Sequence, residues 1–119
     1  MADITVKASY ASVIEDPEEG FLFIGFAEGE EQDEAYVLFR QPLNGGPIWF
    51  ELGDEAFGAE DALALVTPTD KGLEITIRPE AASKFGFARQ VAVTLTKCEE
   101  KEQALAALAA MLGPVWHKE

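Results

Sequence analysis

The chain has 119 residues, 48% hydrophobic and 26% charged, which fits one globular domain (residues 1–119) built around a single core. Its formal net charge of −13, from 22 acids against nine Lys and Arg, argues against direct nucleic-acid binding and against docking on anionic membranes, because both need clustered bases. One cysteine, Cys98, forms no intramolecular disulfide, and with one histidine, His117, it falls short of the usual four-ligand Cys/His zinc site.

The opening MADITVK has no basic stretch leading into an apolar one, and no apolar run approaches the roughly 18 residues of a membrane span. A soluble cytoplasmic protein is the expectation. A first strand is predicted over 4–14, ended by the turn chemistry of EDPEEG. FLFIGFAE, 21–28, is apolar on both alternation sets, which predicts a central strand covered on both faces, with Gly25 marking a bulge or a close backbone approach. GEEQDE then leads into AYVLFRQ, and NGG at 44–46 marks the turn before PIWFEL. Trp49 and Phe50 should point to opposite faces of that strand.

The second half alternates more cleanly. Leu63 and Leu65, then Leu73, Ile75 and Ile77, then Val91, Val93 and Leu95 each predict a strand with one face on the core. TPTDKG at 67–72 reads as a hairpin connection. PEAASKFG at 79–86 reads as a short helical turn, with Pro79 near its start and Gly86 as its cap. From Glu99 to Leu112 acids at the start, five alanines and a terminal Gly113-Pro114 predict a helix whose stripe is Leu105, Leu108 and Leu112. Each fully buried leucine of that stripe is worth roughly 1.5–3 kcal/mol. The sum is an α+β domain: a mainly antiparallel sheet of about seven strands, with the helix packed on one face.

Charge is unevenly spread along the chain. Residues 1–70 hold 16 acids against Lys7 and Arg40, a net −14, whereas residues 71–119 hold six acids and seven bases, a net +1. Such asymmetry points to an electrostatic partner or to acidic loops that keep the protein in solution. The densest block is WFELGDEAFGAED, 49–61, with five carboxylates and no base. It fails as an EF-hand: counting from Asp54, positions three, five and six are Ala56, Gly58 and Ala59. The EGEEQDE stretch at 28–34 matches no calcium loop either. No metal or other cofactor is therefore expected. Nor are the signatures of nucleophilic or nucleotide chemistry present: no GxSxG, GxxxxGK[ST] or GxGxxG occurs. His117 lies close to the end of the sequence, where chains commonly fray, and Glu99 and Glu100 oppose thiolate formation at Cys98. Enzymatic activity is not expected.

What remains is a partner-binding surface. Large aromatics flanked by charge are common interface anchors, so Trp49, Asp54, Glu55, Phe57, Glu60 and Asp61 form the candidate set, with Tyr36 alongside. The order of elements in WFELGDEAFGAEDALALVTPTDKGLEITIRPEAASKFG resembles the immunity protein 10 family of bacterial polymorphic toxin systems, over roughly residues 21–96. That resemblance implies a non-catalytic protein that neutralises a cognate toxin. It carries Asp54 and Gly58 over as residues of loop geometry; where the family often has Gln after the Asp, this chain has Glu55. An acidic inhibitor suits a toxin with a basic active-site surface, such as a nuclease domain. A small-ligand or regulatory module and a structural subunit remain alternatives, and the oligomeric state stays open.

Overall fold

A computed structural model describes residues 3–29, 34–54, 56–98 and 100–117. Glu55, Glu99 and residues 30–33 of the EGEEQDE stretch lie outside the described residues. Among those described, nine strands and one α-helix follow in chain order: β1 Ile4–Lys7, β2 Tyr10–Asp16, β3 Phe21–Ala27, β4 Tyr36–Pro42, β5 Trp49–Leu52, β6 Gly58–Glu60, β7 Leu63–Pro68, β8 Gly72–Ile77, β9 Gln90–Thr94 and α1 Lys101–Leu112. A 3-10 turn, Pro79–Phe85, joins β8 to β9 and is closed by Gly86 in the left-handed region.

The strands form two sheets, which corrects the expectation of one seven-stranded sheet. Strands β2 to β6 make an antiparallel meander in sequence order, and the second sheet runs β1-β9-β8-β7, with β1 parallel to β9. The single strand expected over 4–14 is two strands in different sheets. Consecutive amides show the switch: the N–H of Ala8 donates to the Thr94 carbonyl at 2.9 Å, and that of Ser9 donates to the Ala27 carbonyl at 2.9 Å. The Lys7 N–H adds a bond to the Glu28 carboxylate at 2.8 Å, so an acid of the 28–34 stretch braces this corner.

Alternation explains why the sheets meet. Ile24, Phe26, Val37, Phe39 and Phe50 turn inward from the meander, and Leu73, Ile75, Ile77, Val91 and Val93 turn inward from the other sheet; all belong to one core cluster. A ladder of rings crosses this core, from Phe26 to Phe39 (6.5 Å), Phe50 (5.2 Å) and Phe85 of the 3-10 turn (5.5 Å). Helix α1 packs against β2 and β3, burying Ala104, Leu108, Met111 and Leu112, while Leu105 is half-buried. Leu108 and Leu112 of the expected stripe are buried, and Ala104 and Met111 complete it in place of Leu105.

Two local expectations are also revised. Leu63 and Leu65 do not share a face, because the pairing with β8 shifts between them; Leu63 is buried, Leu65 is exposed, and Val66 takes the inward place. Gly25 is no bulge: β3 pairs without a shift on both sides, and β3 is central but only half-covered on its outer face. The open edge of β7 receives residues 116 and 117, with a parallel bridge from Val66 to Trp116 and the His117 N–H on the Val66 carbonyl at 2.9 Å.

Candidate functional site

The acid-rich block is a hairpin. Strands β5 and β6 pair Trp49 with Glu60, Phe50 with Ala59 and Glu51 with Gly58, and the turn between them is fixed locally. One Asp54 carboxylate oxygen accepts the Ala56 N–H at 2.9 Å, the Asp54 carbonyl accepts the Phe57 N–H at 2.9 Å, and the Phe57 carbonyl accepts the Leu52 N–H at 2.9 Å. Asp54 therefore shapes the turn while remaining exposed. Asp61 begins the next turn with a positive φ of 55°, a conformation that Asp adopts more readily than most residues.

The hairpin's outer side continues across the meander. Cross-strand pairing aligns Ile14, Phe23, Arg40, Trp49 and Glu60 in one row and Ser12, Gly25, Leu38, Glu51 and Gly58 in the next. In the first row the Arg40 guanidinium lies over two rings, 4.9 Å from the Phe21 centroid and 5.0 Å from that of Trp49. In the second, the Glu51 carboxylate is buried: the Trp49 Nε1–H donates to its Oε1 at 3.0 Å and the Tyr36 hydroxyl donates to its Oε2. The indole also lies over Gly58, where a Cβ would fall 2.2 Å from a ring carbon. Trp49 is thus the hub of a rigid outer face, opposite the fully buried Phe50.

At its turn end the same hairpin borders a cleft of about 560 Å³. Ile4 and Val6 of β1, Leu52 of β5, Phe85 of the 3-10 turn and the turn residues Asp54 and Phe57 line it, with Tyr36 beside them. A second hollow, about 450 Å³, lies where the chain switches sheets and is bordered by Ser9, Tyr10, Ala11, Lys97 and Glu100. It gathers one acid and one base beside Tyr10 and Ala11.

Of the six candidate residues, Trp49 and Glu60 pair across β5 and β6, and Asp54 and Phe57, in the turn between those strands, line the cleft. Asp61 stands beyond β6, and Glu55 is outside the described residues. The sequence reading missed Arg40 and Glu51. A Trp-x-Glu spacing on a strand puts both side chains on one face, a signal that was available; the Arg40 stack depends on a cross-strand register that no local pattern reveals.

Charge follows the sheets. Residues 10–60, whose described part forms the meander, hold 13 acids against Arg40, a net −12, with the four acids at 30, 31, 33 and 55 outside the described residues; residues 63–98, which form most of the other sheet, hold three acids and five bases, a net +2. Among the described residues no group of three or more His, Cys, Asp or Glu is placed to hold a metal ion, and no helix is long and apolar enough to cross a membrane. Cys98 is buried ahead of α1 and His117 lies beyond its other end, so the 12 residues of the helix, about 18 Å, stand between them. No family model matches the chain, and comparison with curated proteins and with solved structures gave no match.

Proposed function

We propose that the chain is a non-catalytic immunity protein that binds and neutralises a cognate bacterial toxin through an acidic surface. The observation that carries this reading is the segregation of charge, net −12 over the span of one sheet against net +2 over most of the other. A field of that shape orients an approaching basic protein and speeds encounter, and it discourages acidic competitors. The exposed Phe57 and the half-exposed Trp49 supply apolar contact within that field. A basic nuclease domain is the partner class that such a surface fits best.

The test is affinity capture of the tagged chain from a lysate in which a toxin is expressed, at low and at near-molar salt, where screening shortens the Debye length to about 3 Å. A stoichiometric basic partner bound at low salt and silenced in the complex supports the reading. Its affinity should fall when Asp54, Glu55, Glu60 and Asp61 are changed together to their amides, chiefly through slower association. Recovery of no protein partner overturns the reading. A second reading, a small-ligand module, is favoured by one observation, the aromatic-walled cleft of about 560 Å³. A thermal-shift screen against metabolites separates the two.

A further inference from the structure

Phe87 is the most exposed large apolar side chain among the described residues, with 77% of its surface in solvent. Its backbone is left-handed, φ 67°, directly after Gly86 at φ 64°. The Gly86 conformation is an ordinary helix cap, but a bulky residue in the same region is an outlier, because its Cβ crowds the following carbonyl. Local bonds hold it there: the Phe87 N–H donates to the Ala82 carbonyl at 2.8 Å and the Ala88 N–H to the Phe85 carbonyl at 3.2 Å. Glycine would satisfy this backbone with less strain. With its ring in solvent, Phe87 gains little burial within the chain to offset the strain, so burial does not account for a phenylalanine at this position.

Phe87 directly follows Phe85 and Gly86, which line one wall of the cleft, and is not itself a lining residue; Phe57, 46% exposed, stands on another wall with the exposed Asp54. Ile4, Val6 and Leu52 complete an apolar lining that includes no Lys or Arg among the described residues. Asp54 is the one charged residue of the described lining, so the negative side of the cleft is its β5–β6 wall, while the exposed Lys84 and Arg89 flank the Phe87 side.

We infer that this cleft is a docking site for a protein segment in which an apolar side chain is flanked by Lys or Arg, with Phe57 and Phe87 as anchors on either side and Asp54 facing the flanking cation. The inference rests on the proposed protein-binding role and moves the apolar core of the contact from the outer sheet face to the cleft. Anchoring aromatics beside a pocket, ringed by charge, are the usual make-up of an interface centre.

The test is a ¹⁵N NMR titration of the full chain with acetyl-Lys-Lys-Phe-Lys-Lys-amide and with its charge-reversed counterpart, in which every Lys is Glu. Saturable shifts are expected at residues 4–6, 52–57 and 85–88 with the basic peptide and not with the acidic one. Phe87→Gly should weaken binding by roughly tenfold, the scale of a lost anchor, while its Tm stays level or rises; Phe57→Ser should weaken it similarly. Shifts centred on Trp49 and Arg40, equal binding of both peptides, or unchanged affinity in Phe87→Gly would each overturn the inference. The peptide result is independent of toxin capture: a captured basic partner indifferent to Phe87→Gly defeats the cleft and leaves the inhibitor reading standing, and failure to capture any partner defeats that reading while the peptide result stands.

Discussion

Gly58→Ala tests whether the outer face is as tightly built as its geometry implies. Gly58 sits in β6 at an ordinary strand φ, so an added methyl meets no backbone penalty, and elsewhere such a change would stabilise by about 0.4–1 kcal/mol through the unfolded chain. Here the new Cβ falls 2.2, 2.7 and 2.9 Å from three atoms of the Trp49 indole, and the closest pair must open by about 1.2 Å (3.4 less 2.2) to reach ordinary contact. The indole can move only by leaving its 3.0 Å bond to Glu51 and its place beside Arg40. Overpacking of this kind costs about 1–3 kcal/mol, a large share of a total stability on the order of 5–15 kcal/mol. Urea unfolding followed by circular dichroism measures the loss, and Trp49 emission in a Trp116→Phe background reports the displaced ring. The decisive comparison is Gly58→Ala in a Trp49→Ala background, where the change should become neutral or stabilising. Equal destabilisation with and without the indole, or none in the native background, would refute the argument.

The carboxylate of Asp3 accepts the backbone N–H of Arg89 at 2.8 Å and of Gln90 at 3.1 Å, and these two bonds, the Arg89 one foremost, hold its pKa below the ordinary 3.8. A depressed carboxyl pKa stabilises the fold above the unfolded value and loses that contribution as pH falls through the folded one. The stability gap between the native chain and Asp3→Asn should therefore be constant near neutrality and close below pH 3.8; a gap that persists into strong acid contradicts the assignment. Cys98, 5% exposed, should react with a thiol reagent at least roughly a hundredfold more slowly than free cysteine, and faster as urea is added, because reaction waits on local opening. Reaction at the free-thiol rate would show the junction ahead of α1 to be open.

Turn chemistry and alternation made much of the fold legible. Strands β2 to β5 of the meander were readable because EDPEEG and NGG separate them, whereas β6 lay unpredicted in the acidic stretch after β5; TPTDKG, Gly86 and Gly113-Pro114 marked the later hairpin, the 3-10 turn and the helix end. The division into two sheets was hidden for a physical reason. A period of two states which side chains share a face and is silent on which strands pair, and the bend at Ala8–Ser9, where the partners change, carries no Gly or Pro to mark it. Leu65 was misplaced because one extra residue at a bulge inverts every later side chain. The candidate site was half legible. Trp49 and Phe50 on opposite faces follow from strand geometry, but the cleft joins Ile4, Leu52 and Phe85, whose proximity exists only in the tertiary fold. Phe87 reads in sequence as one more apolar residue; its left-handed backbone is what sets it apart.

The pairing of β1 with β9 sets a timetable. Ile4 lies opposite Val91, so the first strand finds its partner 87 residues later, and the length-dependent entropy of closing such a loop is roughly 4 kcal/mol, whereas each strand of the meander pairs with its neighbour in sequence. The meander can thus assemble early, and β1 docks late. During synthesis at about 5–20 residues per second, β1 waits roughly 4–17 s for its partner to be made. Because Ile4 and Val6 line the cleft together with Phe85 and Gly86, that cleft is incomplete on a nascent chain that has not yet reached β9.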